Sequence, residues 1–97
     1  MKINFSREQD ALTVALEGRL DTTTAPELDR FFAENLAGVS ALTINCEQLV
    51  YISSAGLRVL LTTHKKTNGA MKLTGVCELV MEVFEMTGFA DILTIES

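Results

Sequence analysis

With 97 residues, 47% of them hydrophobic, 22% charged, one proline and no tryptophan, the chain has the composition of one compact domain, which excludes a linker, a fibre or two domains in tandem. Eight basic against thirteen acidic residues give a formal net charge of −5, which argues against nonspecific binding to nucleic acid or an anionic membrane and favours a protein partner or small ligand. No apolar stretch approaches the roughly 18 residues that span a bilayer, and Lys2, Arg7 and Glu8 fall where a signal peptide needs its apolar core, so a cytoplasmic domain without membrane insertion is expected.

Ile3 and Phe5 alternate with polar neighbours, Gln9-Asp10 supplies a turn, and Leu12, Val14 and Leu16 alternate again; this predicts an antiparallel strand pair, with Gly18 ending the second strand. Asp21-Thr22-Thr23-Thr24 is a cluster of capping residues, and Thr24-Ala25-Pro26-Glu27 reads as a capping box with proline in the first turn of a helix. Leu28, Phe31, Phe32 and Leu36 give that helix one apolar face, and Gly38 suits the left-handed residue that closes it. Ala41 to Cys46 is a short strand, and Leu49-Val50-Tyr51-Ile52 is a further apolar stretch leading into Ser53-Ser54-Ala55-Gly56. A second helix follows, with Leu57, Leu60, Leu61 and His64 on one face and Asn68-Gly69 at its end. Met71 to Val76 returns as a strand, Glu78 to Thr87 forms a third helix closed by Gly88, and Ile92 to Ile95 is the last strand.

The order β-β-α-β-α-β-α-β predicts a single α/β domain over 1–97. It has a mixed sheet of four to five strands and three or four helices, parallel beyond the first hairpin because helical crossovers impose parallel pairing. Gly56 and Gly75 lie inside predicted elements and need another explanation. Charge is segregated: Arg58 to Lys72 carries four positive charges and no acid, whereas Cys77 to Ser97 carries five acids and no base. Cys46 and Cys77 stand apart without a CxxC pair or neighbouring histidines, so free buried thiols are expected, with neither metal nor cofactor.

A strand running into a helix through Ser53-Ser54-Ala55-Gly56 sets small side chains and unpaired N–H groups at a helix N-terminus, which attracts anions. Serine there serves equally well as an N-cap, worth about 1 kcal/mol. Gly56, which costs up to roughly 1 kcal/mol relative to alanine in a helix, marks either close approach to the backbone or tight packing of helix on sheet. A serine hydrolase needs a base beside Ser54, and the sole histidine, His64, lies further along the same helix, roughly 15 Å along its axis. Asp21 is a lone carboxylate, and a glycine-rich phosphate loop for a nucleotide is missing, so the chain is not expected to be an enzyme.

Tyr51-Ile52-Ser53-Ser54-Ala55-Gly56-Leu57 resembles the phosphorylation-site motif of the STAS family, the domain of anti-sigma-factor antagonists and sulphate-transporter tails. That motif reads aromatic or apolar pair, aspartate, serine, small residue, glycine, leucine. Leu16-Glu17-Gly18-Arg19-Leu20-Asp21 is similar to the family's second-strand exit, and Val83-Phe84-Glu85-Met86-Thr87-Gly88-Phe89 to its last helix and cap. The likeness therefore runs in order over nearly the whole chain. It implies an anti-sigma-factor antagonist: the unmodified domain binds an anti-sigma factor of histidine-kinase-like ATPase fold and so frees a sigma factor. The same ATPase phosphorylates the serine and dismisses the antagonist, and a PP2C-type phosphatase resets it. Carried onto this chain, the resemblance makes Ser54 the acceptor, with Ser53, which stands where the family has aspartate, as the alternative, and Asp21 the acidic residue of the neighbouring loop. The expected partner-facing set is Asp21, Thr22, Ser53, Ala55, Gly56, Arg58, Thr62 and Lys65; within it Arg58, Thr62 and Lys65 recur at helical spacing as a stripe that meets a partner or is simply solvated. The replacement of aspartate by Ser53 motivates a second reading, a phosphorylation-independent STAS docking subunit of a transporter or signalling assembly.

Overall fold

Alternating apolar and polar side chains in the first twenty positions produce the expected hairpin: strand β1 (Lys2–Glu8) pairs antiparallel with β2 (Ala11–Leu20), and Gln9 takes a positive φ of 57° in the turn. A computed structural model describes residues 1–96. After the hairpin come α1 (Ala25–Asn35), β3 (Ala41–Ile52), α2 (Ser54–Lys66), β4 (Met71–Thr74), α3 (Glu78–Thr87), a 3-10 turn at Phe89–Asp91 and β5 (Thr94–Glu96). The sheet has five strands in the order β1-β2-β3-β4-β5, parallel from β2 onward. Each crossover steps to the next strand in the same direction, so right-handed connections bring all three helices onto one face. That face carries the core: Leu12, Val14, Leu16, Leu42, Ile44, Met71 and Leu73 are buried beneath Leu28 and Phe32 of α1, Leu57 and Leu60 of α2, and Val80 and Phe84 of α3. The mixed five-stranded α/β architecture agrees with the sequence expectation.

Several boundaries differ for physical reasons. β3 is one continuous strand of 12 residues rather than a short strand and a separate stretch. Its partners show why: Ala15 faces Asn45 but Glu17 faces Gln48, and Gly18 faces Leu49 but Arg19 faces Tyr51. Each step inserts an extra residue on β3, so its buried positions run Leu42, Ile44, Cys46, Leu49, Ile52 and the period of two breaks twice. Gly18 does not end β2; it sits at this irregularity with φ +103°, and the strand continues to the fully buried Leu20. Gly38 is likewise not the residue that closes α1. The helix ends at Asn35 with Leu36 as its cap, and Gly38, at φ +78°, sits in a following turn in which the Val39 N–H donates to the Leu36 carbonyl at 3.0 Å.

The buried face of α2 is Gly56, Leu57, Val59, Leu60 and Thr63, with Leu61 and His64 only half-buried, so the helix is rotated from the face first inferred. Thr63 is buried because its hydroxyl donates to the Val59 carbonyl at 2.8 Å and so brings no unpaired polar atom inside. Asn68 and Gly69 terminate α2 as expected, both with positive φ. β4 stops at Thr74, and Gly75 lies in the turn beyond it, with φ +66° and its open side pressed against Glu47. α3 runs over Glu78–Thr87 and closes on Gly88 at φ +81°, as its sequence predicts. The 3-10 turn displaces Ile92 to the surface, so the last strand is the shorter Thr94–Glu96. Of the two thiols only Cys46 is fully buried, and burial, assisted by Cys77, pushes its pKa up to about 12. Cys77 is half-buried at the start of α3 and donates to the Leu49 carbonyl at 3.5 Å.

Gly56 decides between the two explanations open for it. A Cβ there would lie 2.6 Å from Leu20 Cγ and 3.0 Å from Ile52 Cγ1, so α2 lies closer to the sheet than any side chain at position 56 permits. Gly56→Ala is expected to destabilise the protein by about 1–2 kcal/mol, because overpacking of this contact outweighs the roughly 1 kcal/mol that alanine adds to a helix. Urea unfolding measures this, and a midpoint equal to or above that of the wild type contradicts the packing role.

Candidate functional site

The site forms where the carboxyl ends of β2 and β3 meet the N-terminus of α2. The Ser53 N–H donates to the Leu20 carbonyl at 2.9 Å, which ties the end of β3 to the end of β2. Ser53 then stays extended (φ −106°, ψ 176°) as the residue before the helix, and its carbonyl accepts the Leu57 N–H at 2.9 Å. Its hydroxyl makes no cap bond; the oxygen is shut away from solvent and has no hydrogen-bond partner. Ser54, the first helical residue, is exposed. The two neighbouring serines therefore face opposite environments, one hydroxyl sealed and one presented.

Beside them, the loop between β2 and α1 is built on Asp21. Its Oδ1 accepts the Thr23 N–H at 3.0 Å, the Thr23 hydroxyl at 2.7 Å and the Thr24 N–H at 3.2 Å. These bonds, the Thr23 hydroxyl first, outweigh partial desolvation and hold the carboxyl below its usual range. The capping box read from Thr24 to Glu27 is absent: Thr24 donates instead to the Arg19 carbonyl at 2.8 Å and accepts the Asp21 N–H at 2.8 Å. Asp21 supplies the turn that Thr24 was expected to cap, because its carbonyl accepts the N–H groups of both Thr24 and Ala25. Arg19 lies 3.8 Å from the Asp21 carboxylate and stacks its guanidinium 4.1 Å from the centre of the Tyr51 ring. Arg19 was not anticipated, although its position two residues before an acid on a predicted strand exit is a visible signal.

Beyond this loop, α1 and α2 enclose an open groove of about 510 Å³. Thr22, Ala25, Pro26 and Asp29 line one wall, and Ala55, Arg58, Val59, Thr62 and Lys66 the other. Of the expected partner-facing residues, Thr22, Ala55, Arg58 and Thr62 are brought together here, with Asp21 and Ser54 each adjacent in sequence to a wall residue. Lys65 is exposed but does not line the groove, whereas Lys66, one turn beyond Thr62, does. Gly56 is buried against Leu20 and Ile52 and presents nothing outward. Asp29 and Pro26 were missed because only the packing of α1 on α2 turns them toward the groove.

Chemically, the site presents a hydroxyl without a base. The Asp21 carboxylate is committed to its own loop, and His64 belongs to the last turn of α2, with its Nδ1 buried and unpartnered. Among the described residues the ion pairs are Arg19–Asp21 and Lys72–Glu96, so Arg58 and Lys66 are in neither. No cluster of three potential metal ligands occurs among the described residues, and no helix there is long and apolar enough to cross a membrane.

The STAS domain family profile matches residues 2–97. The chain is 32% identical over 99 residues to BtrV of Bordetella bronchiseptica, assigned by inference as an anti-sigma factor antagonist, with 98% of this chain and 85% of the relative covered. The fold is similar to that of a Thermotoga maritima protein with the same assignment (TM-score 0.89, 16% identity, 98% of this chain and 86% of that one). It is also similar to the Bacillus cell fate determinant SpoIIAA in its phosphorylated form (TM-score 0.74, 15% identity, 99% and 92% covered).

Because the folded pKa of Asp21 lies below the ordinary 3.8, its contribution to stability is fully present above that value and is lost as pH falls through the lowered one. Asp21→Ala is expected to unfold at lower urea than wild type at neutral pH, with the gap steady under mild acid and closing only below the usual carboxylate range. Equal midpoints at neutral pH contradict the role of Asp21 as the loop's keystone.

Proposed function

The chain belongs to the STAS domain family, and we propose that it is a cytoplasmic anti-sigma-factor antagonist whose binding is switched by phosphorylation of Ser54. Unmodified, it sequesters an anti-sigma factor of histidine-kinase-like ATPase fold and releases a sigma factor. Phosphorylation by that ATPase ends the association, and a PP2C-type phosphatase restores it. The observation that carries this reading is the contrast between the two serines: Ser54 is exposed at the helix start, whereas the Ser53 oxygen is sealed off from any kinase. In this reading Thr22, Ala55, Arg58 and Thr62 line the partner-facing groove, Lys65 is an exposed partner-facing residue outside it, Asp21 shapes the adjoining loop and Gly56 sets the helix depth.

The energetics support a switch at the interface rather than in the fold. At an exposed helix N-terminus the macrodipole favours added negative charge by roughly 0.3–1 kcal/mol. The first turn of α2 contains no acid to repel it. Against a partner the sign reverses, since burying an unpaired dianion costs several kcal/mol; about 4 kcal/mol weakens binding roughly a thousandfold.

Incubation with a candidate anti-sigma kinase and ATP, followed by mass spectrometry, tests the proposal. One added phosphoryl group is expected on the wild type and on Ser53→Ala, and none on Ser54→Ala. Stable binding without transfer supports the docking-subunit reading, which the absence of the family's aspartate at position 53 favours. Transfer to Ser53 with Ser54 untouched overturns the assignment of the acceptor.

A further inference from the structure

We propose that Arg58 is a shared cation: in the unmodified protein it holds an acidic side chain of the partner in the groove between α1 and α2, and after modification it turns to the phosphate on Ser54. The inference rests on the antagonist reading and names the chemistry by which one modification both adds a charge and removes a contact.

Three observations place Arg58 in this position. It lies in the groove wall, exposed, and is in neither ion pair of the described residues. It lies four residues after Ser54 in a continuous helix, so the two side chains share one face, and long helical side chains lean toward the N-terminus, which aims Arg58 back at Ser54. The groove itself is charged on both sides: Arg58 and Lys66 stand on the α2 wall, Asp29 on the α1 wall, and Ala25, Ala55 and Val59 form apolar surface between them. Two cations against one carboxylate leave an excess of positive charge, which fits an acidic residue carried on a short apolar segment of a protein partner. Asp29 adds specificity, since it repels any anion displaced from the α2 wall.

A guanidinium makes paired, charge-assisted hydrogen bonds to a carboxylate or to a phosphate, and the phosphate, with nearly two charges and three acceptor oxygens, is the stronger competitor. Arg58 is therefore withdrawn from the groove when Ser54 is modified, and the acidic side chain of the partner is left facing Lys66, Asp29 and the new phosphate. No backbone movement is required, because Arg58 changes only its rotamers.

The pairing is tested on the isolated protein with phosphoserine installed at position 54 during synthesis. The phosphorus resonance, followed against pH, is expected to titrate about 0.5 pH unit lower in the wild-type background than in Arg58→Gln. Lys72→Gln, which removes an equal charge from a remote strand, should match the wild type. The helix dipole acts equally in all three, so equal midpoints in the wild type and Arg58→Gln overturn the pairing. The groove contact is tested with the ATPase that passes the phosphotransfer assay: Arg58→Gln should weaken binding of the unmodified protein about tenfold and shrink the ratio between unmodified and modified affinities by the same factor. Unchanged affinity and an unchanged ratio overturn it. If no ATPase transfers phosphate, the antagonist reading fails while the phosphorus titration still decides the pairing.

Discussion

The depth at which α2 settles on the sheet fixes everything that the site presents. Residue 56 has no side chain because Leu20 and Ile52 occupy the space that one would need, so the Cα of Gly56 points at the sheet. In a helix of 3.6 residues per turn each position rotates by about 100°, which places residues two before and two after a buried position about 200° away. Ser54 and Arg58 are those residues. One close contact therefore turns both outward, side by side, and the tether from Ser53 N–H to the Leu20 carbonyl fixes where along the sheet this happens. Position 56 thus presents nothing outward, yet a larger residue there would lift the first turn and redirect Ser54 and Arg58.

Much of this was legible in the residues. The hairpin, the ends of α2 at Asn68-Gly69 and of α3 at Gly88, and the placement of Ser54 at a helix start follow from alternation, caps and left-handed glycines, all of which act within a few positions of themselves. The misreadings share a different origin. β3 looked like two pieces because its extra residues against β2 break the period of two, and that pairing is a property of two strands. Thr24 looked like a cap because threonine commonly is one; Asp21 took the role because Arg19 offered the Thr24 hydroxyl a carbonyl to bind. Lys66 and Asp29 went unseen as groove residues because the rotation of α2 and the approach of α1 are settled by core packing. The start of α2 and part of the groove, Thr22, Ala55, Arg58 and Thr62, were locally readable; Pro26, Asp29 and Lys66, which packing brings in, were not.

The charge layout of the three helices sets the start of α2 apart. α1 and α3 each carry an acid in the first turn, Glu27 and Glu78, which already complement the positive ends of their dipoles. α2 carries none, while His64, Lys65 and Lys66 in its last turn complement the other end. The start of α2 is thus the one helix N-terminus among the described residues whose partial charge awaits a counterpart. In the proposed switch a phosphate there would supply what the sequence leaves out, so that the fold would gain from a modification that a partner's surface, brought up against the same atoms, would have to exclude.

Serine at position 53 sharpens that arrangement. Its hydroxyl points into a space without solvent or hydrogen-bond partner, a cost of about 1–3 kcal/mol that a small neutral group can bear. A carboxylate aimed the same way would be a buried unpaired charge, far more costly, and one aimed outward would stand beside Ser54 as a second anion. There it would repel an incoming phosphoryl group and compete for Arg58. With serine in its place, α2 itself contains no acid, so the proposed phosphate would be the single claimant for Arg58 on that face of the helix. The departure from the family pattern therefore leaves Ser54 exposed, and in the proposed switch it would simplify the electrostatics, since one cation, rather than a balance between two neighbouring anions, would set how the modified site is read.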